Sequence, residues 1–337
     1  MTIKPINLHA HLKPISWLKF SREGDLLFAS SKDQTVTVWY TSNGQLLGSF
    51  KHQGAVNCID VNASTTRLLV ASADQKVSLW DVQTGTLLLQ VECATPVRVV
   101  QFSEGDKEFL CVTDASFKQT PSIQIFKLPE EGTETKQTGK LIPSAKIEQQ
   151  GPKITSAAWG PRNKTIICGF DDGHIKMFDA SSGKLLGQTK EHASTVVRLS
   201  FSKDKMLFMS ASTDKTAKLF ESDTLELLKT YKHSEPVNTA AISPIKRHVI
   251  IGGGTAAQDV TTTAKKQTYF DTHFFHMVFE EELGTVRGHF GPVHFLTFAP
   301  DGKSFASGGE DGFVRLYHLD RQYLSMDDSP EGNLDDE

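Results

Sequence analysis

The chain of 337 residues holds 38 % apolar residues, 25 glycines and 23 % charged residues, the balance of an ordinary globular protein with a full core, and no run approaches the roughly 18 consecutive apolar residues of a membrane helix. Met1-Thr2-Ile3-Lys4-Pro5 brings no apolar signal segment behind a basic one, so the expectation is a soluble, cytoplasmic protein with no membrane partner. The net charge of −4 hides an acidic end, because Asp327, Asp328, Glu331, Asp335, Asp336 and Glu337 leave a nearly neutral body whose longest basic cluster is Lys265-Lys266, which lacks the footprint of direct nucleic-acid binding.

Lys4 to Leu8 stands where an outer strand would fall before the first repeat. The first repeat sets His11, Asp33 and Trp39 on a grid, 22 and 28 residues after the histidine, and the second repeats it 41 residues on with His52, Asp74 and Trp80. The third ends in Ile123-Gln124-Ile125-Phe126, twelve residues after its turn residue Asp114 instead of six, so its loop carries an insertion. The fourth keeps Asp172 and Phe178, and the fifth has His192, Asp214 and Phe220. His233 opens the sixth, whose turn position is Thr255; its aromatic, Phe274 or Phe275, arrives late, so residues 254–271 form a long insertion. His289, Asp311 and Tyr317 make the seventh.

Between grid points apolar and polar residues alternate over five to seven positions, as in Thr35-Val36-Thr37-Val38-Trp39, and Ser42-Asn43-Gly44, Gln83-Thr84-Gly85 and Ser181-Ser182-Gly183 mark turns. A period near 40–45 residues with four strands per unit is that of a propeller blade. The expectation is an all-β, seven-bladed WD40 β-propeller spanning residues 1–323, closed by the N-terminal strand in blade seven, with 324–337 as a disordered acidic tail. Cys58, Cys93, Cys111 and Cys168 stand singly in apolar stretches and read as reduced core thiols.

A residue that recurs in every repeat serves the repeat, since an active site is needed once. His11, Asp33, Trp39, His52, Asp74, Trp80, Asp172, His192, Asp214, His289 and Asp311 therefore read as a structural network, with each aspartate capping a turn and each histidine bridging to Ser31, Ser72 or Ser212 and to an indole N–H. Gly252-Gly253-Gly254 lacks the Lys-Ser/Thr of a phosphate loop. His273 and His276 project to opposite faces of a strand and cannot share a metal, even with Glu280 beyond. No nucleophile elbow or Cys-His pair occurs, so no catalytic residue, metal or cofactor is expected. On the loops, Asp204 in Ser202-Lys203-Asp204-Lys205 and Glu221 reach one rim of blade five and suggest an acidic partner contact facing blade six. A pair of solvated turn carboxylates flanked by Lys203 and Lys205 is the alternative.

Specific phrases go further: Arg22-Glu-Gly-Asp-Leu-Leu-Phe28, Val38-Trp-Tyr40 with Asn43-Gly44, Asp259-Val-Thr-Thr-Thr263, Phe274-Phe-His-Met-Val-Phe-Glu-Glu-Glu282, Gly288-His-Phe-Gly-Pro292 and Gly308-Gly-Glu-Asp-Gly312. Across all seven repeats the chain resembles the WD-repeat subunit i family of eukaryotic translation initiation factor 3. It departs from that pattern at Thr255-Ala256, where the family carries Gln-Glu, and at Ala10-His11 in place of Gly-His. The resemblance implies a non-catalytic scaffold subunit that binds the C-terminal helix of the b subunit, associates with the g subunit and meets the small ribosomal subunit through the complex. Another propeller adaptor, in signalling or ubiquitin ligation, is the alternative class; a propeller enzyme is the third.

Overall fold

Residues 4–116, 119–129, 137–139, 142–255 and 270–326 are described by the computed structural model. Seven antiparallel blades of strands a to d, counted outward from a central channel, follow one another around a ring. They occupy residues 15–51, 56–92, 97–148, 154–189, 196–232 and 237–289, and blade 7 takes strands a to c from 293–318. Its strand d is the N-terminal strand Ile6–His9, paired antiparallel with Phe313–His318 in the register Ile6↔Leu316 to His9↔Phe313. Leu8 is 1 % exposed and packs with Val314 and Leu316 of its own blade and with Ile15 and Leu18 of blade 1, so the seam is apolar as well as hydrogen-bonded.

Strand b of each blade is covered on both faces by the neighbouring blades, which is why Leu68-Leu69-Val70-Ala71 or Phe208-Met209 is a continuous apolar run. The outer strands lie open to solvent, leaving Leu46, Leu47, Leu185 and Leu186 exposed. Strand a in every blade slips by one residue against strand b, as between Ile15 and Trp17. This bulge turns Ser16, Asn57, Arg98, Thr155, Val197, Asn238 and His294 into the channel. There Ser16 Oγ donates to Val56 O at 2.7 Å, Asn57 Nδ2 to Val97 O at 2.7 Å and Asn238 Nδ2 to Val293 O at 3.1 Å. Thr155 Oγ1 likewise donates to Val196 O. Each bond stitches one blade to the next, so the inner ring is tied by side chains where no sheet is continuous. Arg198 crosses the channel between Trp17 and Phe295, 4.3 and 4.4 Å from the ring centres.

The recurring histidines lie in the d–a connections and the aspartates in the b–c turns. In blade 1, Trp39 Nε1–H donates to Thr37 Oγ1 at 2.9 Å, Thr37 meets His11 Nε2 at 2.8 Å, and His11 Nδ1 meets Asp33 at 3.0 Å. In blade 5, His192 bonds Asp214 at 2.8 Å and Ser210 Oγ at 2.6 Å; in blade 7, His289 bonds Asp311 at 3.0 Å and Ser307 Oγ at 2.7 Å. An ionised carboxylate can only accept, so in blades 1 and 5 Nδ1 carries the proton and Nε2 accepts from the hydroxyl, while in blade 7 the Arg315 guanidinium also meets His289 Nδ1. The hydroxyls are Thr37, Ser210 and Ser307, which corrects the expectation of Ser31, Ser72 and Ser212. Those three bond the carbonyls of Lys13, Ala55 and Ser194 and receive the N–H of the turn aspartate. Gly309 is required beside this network, because a Cβ there would lie 2.3 Å from His289 Nδ1.

Blade 2 departs from the expected network. Val70 stands where blades 5 and 7 have serine, and the Ser78 hydroxyl is taken by Gln90. Among the described residues His52 Nε2 and Trp80 Nε1 are buried without a hydrogen-bond partner, and Asp74 caps its turn through the N–H of Lys76 at 3.1 Å. Asp172 of blade 4 is paired locally with His174 at 2.8 Å, there being glutamine at position 150 in place of a grid histidine. In blade 3 Asp114 holds Arg98 at 2.7 Å. Phe275, not Phe274, is the blade 6 aromatic, since it pairs with Val249 as Trp39 pairs with Leu27. A feature absent from the repeat count is a fifth strand, Gln137–Gly139, running parallel to Leu87–Glu92 on the outer edge of blade 2. After Tyr317 the chain forms a helix, Arg321–Ser325, capped by Asp320, which buries Tyr323 between blades 6 and 7. The 259–263 phrase and residues 327–337 lie outside the described residues.

Leu8→Ala should cost about 2–5 kcal/mol in denaturant unfolding through cavity formation at the seam; a loss below about 1 kcal/mol would show that the seam is not part of the cooperative core. Asp214→Ala, which strips partners from His192, Ala193 and Thr216, should cost about 1–3 kcal/mol, whereas Asp74→Ala should cost less. An inverted order would contradict the hydrogen-bond assignment.

Burial holds His11, His192 and His289 below 6.5, against the partial opposition of their aspartates, and it holds His52 at about 4. Burial also opposes ionisation of Asp33 and Asp214, but the hydrogen bonds they accept outweigh it and keep both below 3.8. Unfolding restores ordinary values, so the unfolded chain binds more protons and stability must fall as pH drops from 6.5 towards 4, then further as the carboxylates protonate. His52→Gln should flatten the decline between pH 6.5 and 4 in urea midpoints; an unchanged slope would contradict a neutral, buried His52.

Candidate partner-binding surface

Antiparallel winding puts the d–a and b–c connections at one rim of the ring and the a–b and c–d turns at the other. The first rim carries the histidine–aspartate networks around a channel cavity of about 730 Å³. Among the described residues no three His, Cys, Asp or Glu side chains converge as a metal site. His273 Nδ1 bonds Glu282 at 2.7 Å, while His276 Nδ1 accepts the N–H groups of Val278 and Phe279, so these two histidines serve different partners.

The second rim brings Asp204 and Glu221 onto neighbouring turns of blade 5, because Leu207 pairs with Glu221 and Ser222 N donates to Met206 O at 2.9 Å. Asp204 Oδ1 accepts from Ser202 Oγ at 2.6 Å and Met206 N at 3.0 Å, and these bonds hold its carboxyl below the usual range. Glu221 accepts from Thr224 Oγ1 at 2.6 Å. Of the flanking lysines, Lys205 leans away to Glu104 of blade 3, 3.0 Å distant, and does not cover Asp204.

Spacing alone does not reveal the apolar half of this rim. Met206 is 48 % exposed, Ile245 51 % and Phe279 50 %, with Leu228 and Val278 also open, and all stand on turns or strand ends of blades 5 and 6. Their positions are fixed from beneath. His276 caps the turn and stacks on Phe279 at 4.6 Å; His248 packs edge-on against His276; and Tyr323 from the C-terminal helix bonds His248 at 2.9 Å. The two blades are held in place by Tyr231 OH donating to Met277 O at 2.7 Å and by Lys229 to Glu280 at 3.4 Å. The result is a set of exposed apolar side chains on the second-rim turns and strand ends of blades 5 and 6, which also carry Asp204, Glu221, Asp223, Glu280 and Glu281. Solvent-exposed apolar groups that share one rim with carboxylates suit an amphipathic segment bearing lysine or arginine. The signal is present in the sequence as Met-Val-Phe-Glu-Glu at 277–281, but only the fold puts it on the rim that carries Asp204.

The family model EIF3I matches residues 3–328. Relatives named eukaryotic translation initiation factor 3 subunit I are 44 % identical over 95 % of this chain and 98 % of the relative in Nematostella vectensis, 45 % over 94 % and 98 % in Drosophila willistoni, and 43 % over 96 % and 99 % in Taeniopygia guttata. With its seven-bladed ring and a match running from the seam strand to the C-terminal helix, the chain belongs to the family of eukaryotic translation initiation factor 3 subunit I.

Proposed function

We propose that the chain is a non-catalytic scaffold of the initiation factor 3 complex in the cytoplasm, and that the second rim of blades 5 and 6 receives the C-terminal helix of the b subunit. The observation that carries this reading is the exposure of Met206, Ile245, Val278 and Phe279 on the same rim as the turn carboxylates Asp204 and Glu221. A helix presents apolar side chains at i, i+3, i+4 and i+7 and basic ones beside them, which complements such a strip. The apolar contacts would supply affinity, and the carboxylates would set register and association rate. The same reading includes association with the g subunit, and a meeting with the small ribosomal subunit through the complex, on other surfaces of the ring.

Calorimetric titration of the full chain with a peptide spanning the b-subunit helix tests the reading. Asp204→Lys with Glu221→Lys should weaken binding by about 1–3 kcal/mol, more than the roughly 0.2–1 kcal/mol of each exposed pair because repulsion replaces attraction, and the deficit should shrink at high salt. Phe279→Ala should cost about 2 kcal/mol as an anchor. Unchanged affinity in variants that melt like the parent would remove this rim from the interface.

A further inference from the structure

Cys93 follows His52 by 41 residues, as His52 follows His11, so it occupies the histidine position of blade 3. Cys111 lies 18 residues further on, the position at which Ser210 and Ser307 meet the imidazoles of His192 and His289. Blade 3 thus replaces imidazole and hydroxyl with two thiols, and their Sγ atoms are 3.9 Å apart. We propose that Cys93 and Cys111 form a peroxide-responsive dithiol, a modification site in which oxidation gives a disulfide where other blades use a hydrogen bond.

The surroundings divide the two roles. Cys93 is half-buried in the connection from blade 2 to blade 3 and within reach of a small oxidant, whereas Cys111 is fully buried. The hydrogen bond between them lowers the Cys93 thiol and raises that of Cys111, so Cys93, the more accessible of the two, is the thiol that ionises first and meets the oxidant, and Cys111 is the resolving thiol. The thiolate attacks one peroxide oxygen; the O–O bond breaks, hydroxide leaves and Cys93 becomes a sulfenic acid. The Cys111 sulfur then attacks the Cys93 sulfur, the S–O bond breaks, and water departs with the thiol proton. The two sulfurs lose two electrons, and the peroxide is reduced to the level of water. The connection is already anchored, with Cys93 N donating to Gln75 O at 2.8 Å and Thr95 Oγ1 to Asp114 O at 2.7 Å, so closure requires the sulfurs to approach and leaves those anchors in place. Cys58, the nearest other thiol, is fully buried and turned to Val100 O at 3.4 Å.

The test treats the purified full chain with hydrogen peroxide, alkylates the remaining thiols after unfolding, and maps tryptic peptides without reduction. Cleavage at Lys76, Arg98, Lys107 and Lys118 leaves the two cysteines on separate peptides. The expected product is one linked pair, Cys93 with Cys111, that disappears on treatment with dithiothreitol while Cys58 and Cys168 remain alkylated. Cys111→Ser, which restores the residue found in blades 5 and 7, should stop the reaction at a Cys93 sulfenic acid trapped by dimedone, and Cys93→Ser should leave Cys111 unoxidised. The proposal is overturned if the folded parent yields no such pair, links either cysteine to Cys58 or Cys168, or accumulates the sulfenic acid itself. Peptide mapping of the parent protein is decisive by itself, should a variant fail to fold.

Discussion

Closure of the ring at residues 6–9 is the constraint on which the rest of the molecule depends. Six blades take their strands a to d in sequence order from one stretch of chain, but the seventh has only three strands until Ile6–His9 arrives from the opposite end of the sequence. Without that strand the outer edge of blade 7 would be exposed and the contacts of Leu8 with Val314, Leu316 and blade 1 would be lost. With it, every blade is flanked on both faces, and the bulged residues of the inner strands can reach the carbonyls of the next blade around the channel. Rigidity on the second rim is inherited from this closure, because a row of exposed side chains on turns is a defined surface only if the turns do not move relative to one another.

The seven repeats solve one problem with different chemistry. Each must tie a d–a connection to a b–c turn. Blades 1, 5 and 7 do so with a hydrogen-bonded imidazole, while in blade 4 Lys153 N donates to Asp171 Oδ1 at 3.0 Å and the Asp172–His174 pair stays within the turn. In blade 6 His233 turns its Nδ1 to the carbonyl of Glu235. Blade 3 has two thiols at the equivalent positions, and blade 2 leaves His52 Nε2 and Trp80 Nε1 unmatched. Buried donors and acceptors without partners are costly, so the blades are unequal contributors to stability. The fold tolerates these substitutions because the apolar strand b, not the polar network, fills the space between blades.

Much of this architecture is legible in the sequence because the spacing of histidine, aspartate and aromatic is a local property of one blade. Which hydroxyl meets the imidazole is not. Positions 18 and 26 residues after the histidine become equivalent only when strands b and c pair, so Ser210 and Thr37 cannot be distinguished from Ser31 or Ser212 by spacing. The strand Gln137–Gly139 gives no signal since its sequence lacks alternation, and the helix Arg321–Ser325 gives little since only Tyr323 hints at a buried face. Asp204 and Glu221 can be read as carboxylates on one rim, but the apolar strip beside them needs the fold, because Met206, Ile245 and Phe279 come from three separate turns. The thiol pair is written in the grid at the histidine and +18 positions, whereas single-cysteine spacing rules look elsewhere.

Hydrogen exchange at the seam tests the role of ring closure most directly. If closure underlies the fold, the backbone amides that Ile6–His9 contributes to its pairing with Phe313–His318 exchange only through global unfolding, as slowly as those of strand b in blades 2 and 5, despite lying at the chain terminus. Exchange of those amides at the rate of a frayed end, with the remaining blades still protected, would show that the ring stands without its N-terminal strand.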